Sequence, residues 1–163
     1  MVSSKNSTIL STCTLVLPWF TAPFLGKNAF VRFTSVAVFT NVVWSILSVI
    51  ANNKRWWKAD PFFLKKTKID LPFVGGMFFI TTLWVFKWTF GDFRKYFALN
   101  ALIDFLLAFP IVKFYDKVGA FKLRKMSNLF FYLIILSLAV LIYFYQYILE
   151  KVIQWPGKKA EVR

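Results

Sequence analysis

The chain has 163 residues, 58% hydrophobic, 21% aromatic and 17% charged, with 21 Lys and Arg against 7 Asp and Glu for a formal charge of +14. With a mean hydropathy of +0.58, that balance argues against an ordinary soluble domain, in which about half the residues are apolar and alternate with charge at helix or strand period. One cysteine, Cys13, and no histidine exclude an intramolecular disulfide, a zinc site built on Cys and His clusters and a Ser-His-Asp triad. No metal or cofactor is expected.

Long apolar stretches alternate with short basic connectors. The pattern predicts an all-α polytopic transmembrane bundle, a single integral membrane domain over 1–163, with four spans and a Pro-broken N-terminal fifth. The first segment, 8–25, reads TILSTCTLVLPWFTAPFL. Pro18 and Pro23 break its backbone ladder, which leaves a kinked span or a re-entrant, interfacial segment. A cleaved signal peptide fits poorly, because Ala22 at the cleavage point has Phe20 two positions before it and Pro23 directly after. Cys13 lies in this apolar segment and is expected to be inert.

The second span, 33–51, has the length a hydrocarbon core requires, about 20 residues. Thr34, Asn41, Ser45, Ser48 and Asn52 recur along it on one helical stripe, predicted to face protein because lipid offers polar groups no hydrogen bonds. The run Lys54-Arg55-Trp56-Trp57-Lys58 follows directly. It joins indoles suited to the interface with cations worth roughly 1 kcal/mol each near anionic lipid, and reads either as a topology anchor or as a lipid-headgroup site.

The third span, 71–90, follows Asp70 as an N-cap, with Pro72 in its first turn and Gly75-Gly76 allowing close backbone approach. Trp84, Lys87 and Trp88 sit near its far end as an aromatic belt with a snorkelling lysine. The fourth, 96–115, has Asp92 as its cap and contains Asn100, Asp104 and Pro110. The fifth, 129–149, is capped by Ser127 or Asn128 and carries Tyr143, Tyr145 and Tyr147 toward its end, before a short polar tail over 150–163.

Positive charge sets the orientation. The connector 52–70 carries Lys54, Arg55, Lys58, Lys65, Lys66 and Lys68, and 113–126 carries Lys113, Lys117, Lys122, Arg124 and Lys125. Both are predicted on the same, cytoplasmic side, joined there by Lys5 when all five segments span, with the C-terminus outside. This charge serves the membrane surface, and no nucleic-acid partner is expected.

Asp104 is the sharpest feature. About eight residues into the fourth span it lies roughly 12 Å below the interface, where a carboxylate costs on the order of 2.5 to 3.5 kcal/mol unless it is paired, hydrated or protonated. An antiparallel hairpin of the third and fourth spans predicts a Lys87–Asp104 ion pair, with Asn100 bridging and Asn41 donating from the second span. Such a cluster either pins helices together or forms an ion or substrate pathway. No other acid lies deep in a span, so no catalytic residues are expected.

The expected function is a non-enzymatic scaffold, assembly or regulatory subunit that self-associates or joins another membrane protein. A small transporter or channel component with an Asp104/Lys87 relay is one alternative, and a protein that binds anionic lipid is another. With KRWWK after the second span, and FFITTLWVFKWTFGDF leading into NALIDFLLAFP, the chain resembles a group of small four- or five-span membrane proteins of spore-forming bacteria. The resemblance implies a bacterial inner membrane and supplies no activity, cofactor or site residues.

Overall fold

A computed structural model describes residues 4–59 and 69–153 as an all-α bundle with one short β ribbon. Asp60, Lys65, Lys66 and Lys68 of the first connector, and Lys158, Lys159, Glu161 and Arg163 of the tail, lie outside the described residues.

Helix α1, Ser4–Val16, tightens into a 3-10 helix over Leu17–Leu25. Pro18 and Pro23 withhold N–H donors there, so the α ladder does not continue, and Gly26 at φ 77° turns the chain. Helix α2, Lys27–Lys54, is 28 residues long and ends at Arg55 in the left-handed conformation. Arg55 N–H then bonds Asn52 O at 3.2 Å and Trp56 N–H bonds Ala51 O at 2.8 Å, a Schellman closure in which glycine is the usual residue.

The third segment enters through a π-helical turn, Phe73–Phe78, and continues as α3, Phe79–Thr89. Helix α4, Phe93–Leu106, passes through a second π turn, Leu107–Ile111, into α5, Val112–Val118. Asp92 caps α4 as expected, accepting the backbone N–H of Arg94 at 3.0 Å and of Lys95 at 3.2 Å. Helix α6, Asn128–Ile153, reaches four residues beyond the expected end of the last apolar segment. Among the described residues, four helical stretches are long and apolar enough to cross a membrane: Thr8–Leu25, Lys27–Lys54, Phe93–Val118 and Asn128–Ile153. The apolar helix Phe73–Thr89 is shorter. The Pro-broken first segment therefore matches the length criterion, and its 3-10 half gains reach because that helix rises about 2.0 Å per residue.

The first segment runs alongside the third in the same direction. Trp19 Nε1 donates to Gly75 O at 3.1 Å, Trp84 Nε1 donates to Thr21 Oγ1 at 3.0 Å, and Lys87 Nζ donates to Phe24 O at 3.0 Å. Gly76 makes this packing close, since a Cβ there would lie 2.5 Å from the carbonyl oxygens of Thr14 and Leu15.

Strand β1, Trp57–Ala59, pairs antiparallel with β2, Phe121–Leu123, in the register Trp57 with Leu123, Lys58 with Lys122 and Ala59 with Phe121. The ribbon brings the described parts of the two long basic connectors together at one end of the bundle. Trp57 and Phe121 turn inward while Lys58 and Lys122 are exposed, the period-2 alternation of a one-sided ribbon.

Two cores stack along the bundle axis. One, around Phe33, Val36, Phe86, Tyr96, Ile142 and Tyr143, lies toward the Gly91 turn. The other, around Trp44, Trp57, Val112, Tyr115, Phe121 and Phe131, lies beneath the ribbon. The outer faces are also apolar: Phe20, Phe24, Val42, Ile46, Leu102 and Phe144 are all exposed.

Candidate functional site: a half-buried carboxylate between two aromatic cores

Asp104 follows the start of α4 by 11 residues, about 17 Å at 1.5 Å per residue, and is near the midpoint of the continuous helix Phe93–Val118. It lines a cavity of about 60 Å³ with Thr40 and Trp44 of α2, Thr81, Thr82 and Phe86 of α3, Tyr96 and Asn100 of α4, and Ile135, Ala139 and Ile142 of α6. Phe86, Tyr96 and Ile142 belong to one core, Trp44 and Ile135 to the other, so the cavity lies where the two meet. Phe78 and Leu107, one from each π turn, line it as well. The space suffices for a few water molecules.

Asp104 Oδ2 is buried and receives no hydrogen bond from the described residues. Its polar neighbours bond elsewhere. Thr40 Oγ1 donates to Val36 O at 2.8 Å, Thr82 Oγ1 to Phe78 O at 2.7 Å and Tyr96 Oη to Ala139 O at 2.9 Å. Asn100 Nδ2 donates to Tyr96 O at 2.9 Å, within its own helix, so the expected bridge to Lys87 is not made.

The expected Lys87–Asp104 ion pair does not form. Lys87 is two residues from the end of α3, about 3 Å along the axis, whereas Asp104 lies about 17 Å from the same end of the bundle. A lysine side chain does not cover that difference. Its ammonium instead reaches Phe24 O and lies 4.7 Å from the Trp84 ring centroid, at the exposed rim. Asn41 is half-buried with Oδ1 unpartnered among the described residues, and it is the adjacent Thr40 that lines the Asp104 cavity. The expected site thus keeps Asp104 and Asn100, does not include Lys87 or Asn41, and gains Thr40, Thr81, Thr82 and Tyr96. Thr81-Thr82 inside FFITTLWVF carried a signal, two hydroxyls in an otherwise apolar run.

The polar stripe of α2 is largely satisfied inside the chain. Thr34 Oγ1 donates to Phe30 O at 2.6 Å, Asn52 Nδ2 to Ser48 O at 3.0 Å and Ser48 Oγ to Asp70 Oδ2 at 3.1 Å. Asp70 is a junction, not the side-chain cap expected: its carbonyl, rather than its carboxylate, accepts Phe73 and Val74 N–H at 3.1 and 3.0 Å. Its carboxylate also accepts the Trp57 indole N–H at 2.8 Å. Burial pushes the Asp70 carboxyl above its usual range, and the bonds from Trp57 and Ser48 pull it partway back. The adjoining cavity is about 20 Å³ and walled by Trp44, Trp57, Phe73, Tyr115 and Phe121, too small for an organic ligand.

The lipid-headgroup candidates divide accordingly. Lys54, Arg55 and Lys58 are exposed, and Trp56 is half-buried edge-on to Phe130 with Lys54 Nζ 5.2 Å from its ring centroid. Trp57 is 3% exposed and is a core residue, not an interfacial anchor. Its place in the inward row of the ribbon is the reason.

A second polar cluster joins the ends of α2 and α6. Arg32 Nε and Nη2 grip Glu150 Oε1 and Oε2 at 2.6 and 3.0 Å, and Gln146 Nε2 donates to Glu150 Oε1 at 3.1 Å. The sequence placed Glu150 in a polar tail, so this pair was not foreseen. No family model, curated protein or solved structure matches the chain.

Proposed function

We propose that the chain is a multi-pass integral membrane protein, and that it acts as a small transporter or channel component that takes a proton or small solute into the Asp104 cavity. The observation that carries this reading is the buried, unpartnered Asp104 Oδ2 in a water-sized cavity at the middle of the bundle. A carboxylate serving only to pin helices would be expected to bond a neighbouring helix, since at such depth an unmet charge is costly. The two π turns that contribute Phe78 and Leu107 to the cavity wall support the same reading, because π turns inside helices are frequent at functional sites. The relay needs no Lys87.

The polar stripe of α2, predicted to face protein, would favour a scaffold if it sought a partner outside the chain. Bonds inside the chain now account for Thr34, Ser48 and Asn52, so that argument weakens. The exposed apolar faces fit lipid contact. In this reading the two basic connectors are cytoplasmic, a topology supported by their pairing in the ribbon and by the parallel course of the first and third segments. Lys58, Lys122, Arg124 and Lys125 then face the headgroups of an anionic leaflet, and the C-terminus is outside. The resemblance to spore-former membrane proteins supports a bacterial inner membrane.

Reconstitution into proteoliposomes tests the reading. Proton or alkali-cation flux under an imposed gradient is expected for the parent protein and lost in an Asp104→Asn variant of normal abundance and fold. If Asp104→Asn is harmless while Asp104→Leu prevents assembly, the residue is a structural pin and the reading fails.

A further inference from the structure

The hydrogen-bond inventory around Asp104 identifies the chemical class of what the cavity takes. A threonine or tyrosine hydroxyl owns one hydrogen and two lone pairs. The hydrogens of Thr40, Thr82 and Tyr96 are all committed to backbone carbonyls: Val36 O, Phe78 O and Ala139 O. None of the three is left to donate to Asp104, and what each retains is acceptor capacity. One N–H of Asn100 is likewise held by Tyr96 O. The cavity wall therefore combines an unpartnered carboxylate oxygen with three hydroxyl oxygens, of Thr40, Thr82 and Tyr96, able only to accept, while the Thr81 hydroxyl and the second N–H of Asn100 are its remaining donors. An anion there would face the Asp104 carboxylate, whereas a cation meets that carboxylate and three acceptor hydroxyls.

The charge balance narrows the class. Asp104 is the one charged residue among those that line the cavity, so one carboxylate offsets a bound charge. A monovalent cation brings the cavity to neutrality, whereas a divalent one leaves a net positive charge in a low-dielectric interior. All-oxygen ligation suits hard alkali cations.

We infer that the Asp104 cavity is a binding site for a small monovalent cation of the sodium class, ligated by Asp104 with the oxygens of Thr40, Thr82 and Tyr96, in competition with a proton on Asp104. The inference rests on the proposed function and specifies its solute. Charge is conserved in the exchange: one cation enters as one proton leaves the carboxyl.

Equilibrium binding of radioactive Na⁺ to the full-length protein in detergent, followed by scintillation proximity, tests it. Saturable binding is expected, weakening as pH is lowered, outcompeted by excess unlabelled Na⁺ and unaffected by choline. Asp104→Asn is expected to abolish it. Thr82→Val and Tyr96→Phe, which retain bulk and remove a ligand oxygen, are each expected to weaken it roughly tenfold or more. If Asp104→Asn does not fold, unchanged affinity in both of these variants overturns the inference. Stronger competition by Ca²⁺ than by unlabelled Na⁺ overturns the monovalent assignment. Absence of Na⁺ binding, together with an infrared carboxyl signal that titrates only when Asp104 is present, overturns the cation site and leaves a proton site standing. Equal Na⁺ binding with and without Asp104 overturns both this inference and the proposed role of Asp104.

Discussion

The Trp57 indole N–H donates to Asp70 Oδ2 at 2.8 Å, across 13 residues of chain. Ser48 of α2 donates to the same oxygen at 3.1 Å, so one carboxylate ties the end of α2, the ribbon and the entry to the third segment together. Trp57→Phe keeps the ring and removes the donor, and is expected to destabilise the fold by about 1 to 3 kcal/mol, the range for stranding a buried polar partner. Denaturation of the two proteins in lipid-detergent mixtures measures the difference.

The same junction fixes a pH response. Burial raises the Asp70 carboxyl above its usual range, so the folded state holds that proton more tightly than the unfolded chain does. Its stabilising contribution is fully present below the ordinary carboxylate pKa and is lost as pH rises through the raised folded value. Acidification toward pH ~4 should therefore stabilise the parent protein relative to Asp70→Asn, whereas parallel pH profiles would contradict the assignment. Asp92 has the opposite sign: backbone hydrogen bonding from Lys95, with its nearby charge, lowers its carboxyl, and that support fades as pH falls.

The two adjacent glycines should behave differently. A Cβ at Gly76 would fall 2.5 Å from backbone oxygens of Thr14 and Leu15, while one at Gly75 meets only Leu15 Cδ1 at 3.5 Å. Gly76→Ala is expected to cost about 1 to 3 kcal/mol through displacement of the first segment. Gly75→Ala should be close to neutral. Cys13, half-buried on that segment, reports the displacement through faster thiol labelling in the Gly76 variant.

Glu150 is gripped by both Arg32 nitrogens, and its side chain is 6% exposed. Glu150→Gln removes the carboxylate that the Arg32 guanidinium grips and is expected to cost about 3 kcal/mol, at the low end for a broken buried pair because the Arg32 side chain keeps 21% exposure. A double-mutant cycle with Arg32→Met should recover most of that loss, and additive losses would show that the two side chains are not coupled.

Lys87→Met provides a specificity control. The ammonium bonds Phe24 O at the rim, so its removal should loosen the first segment and leave Na⁺ binding within twofold of the parent protein. A loss of binding as large as that of Asp104→Asn would restore the Lys87–Asp104 relay.

The apolar runs made the helices legible, because each helix buries or exposes a whole stretch of one composition, and Asp92 announced its cap. Asp104 was legible for the same reason: a charge stands out in an apolar run. Its surroundings were not, because which hydroxyl reaches the cavity depends on helix rotation, and a shift of one residue in α2 puts Thr40 at the wall in place of Asn41. Lys87 was misjudged on depth, since α4 begins at Phe93 and carries Asp104 farther from the Gly91 turn than a start at residue 96 implies. The ribbon escaped notice because WKA and FKL, three residues each, are too short for periodicity to register, and with it went the inward role of Trp57.

Cysteine accessibility in a lipid nanodisc tests the central claim most directly. In a Cys13→Ser background, Asp104→Cys and Leu102→Cys place a thiol in the cavity and on an outer apolar face, where Leu102 is 57% exposed. A membrane-embedded bundle with a solute-accessible cavity predicts that aqueous Ag⁺ reacts at position 104, while position 102 is shielded by lipid. Reaction at 102 as fast as at 104 would contradict the membrane embedding. A thiol at 104 that reacts only after unfolding in SDS would contradict the cavity as a functional site.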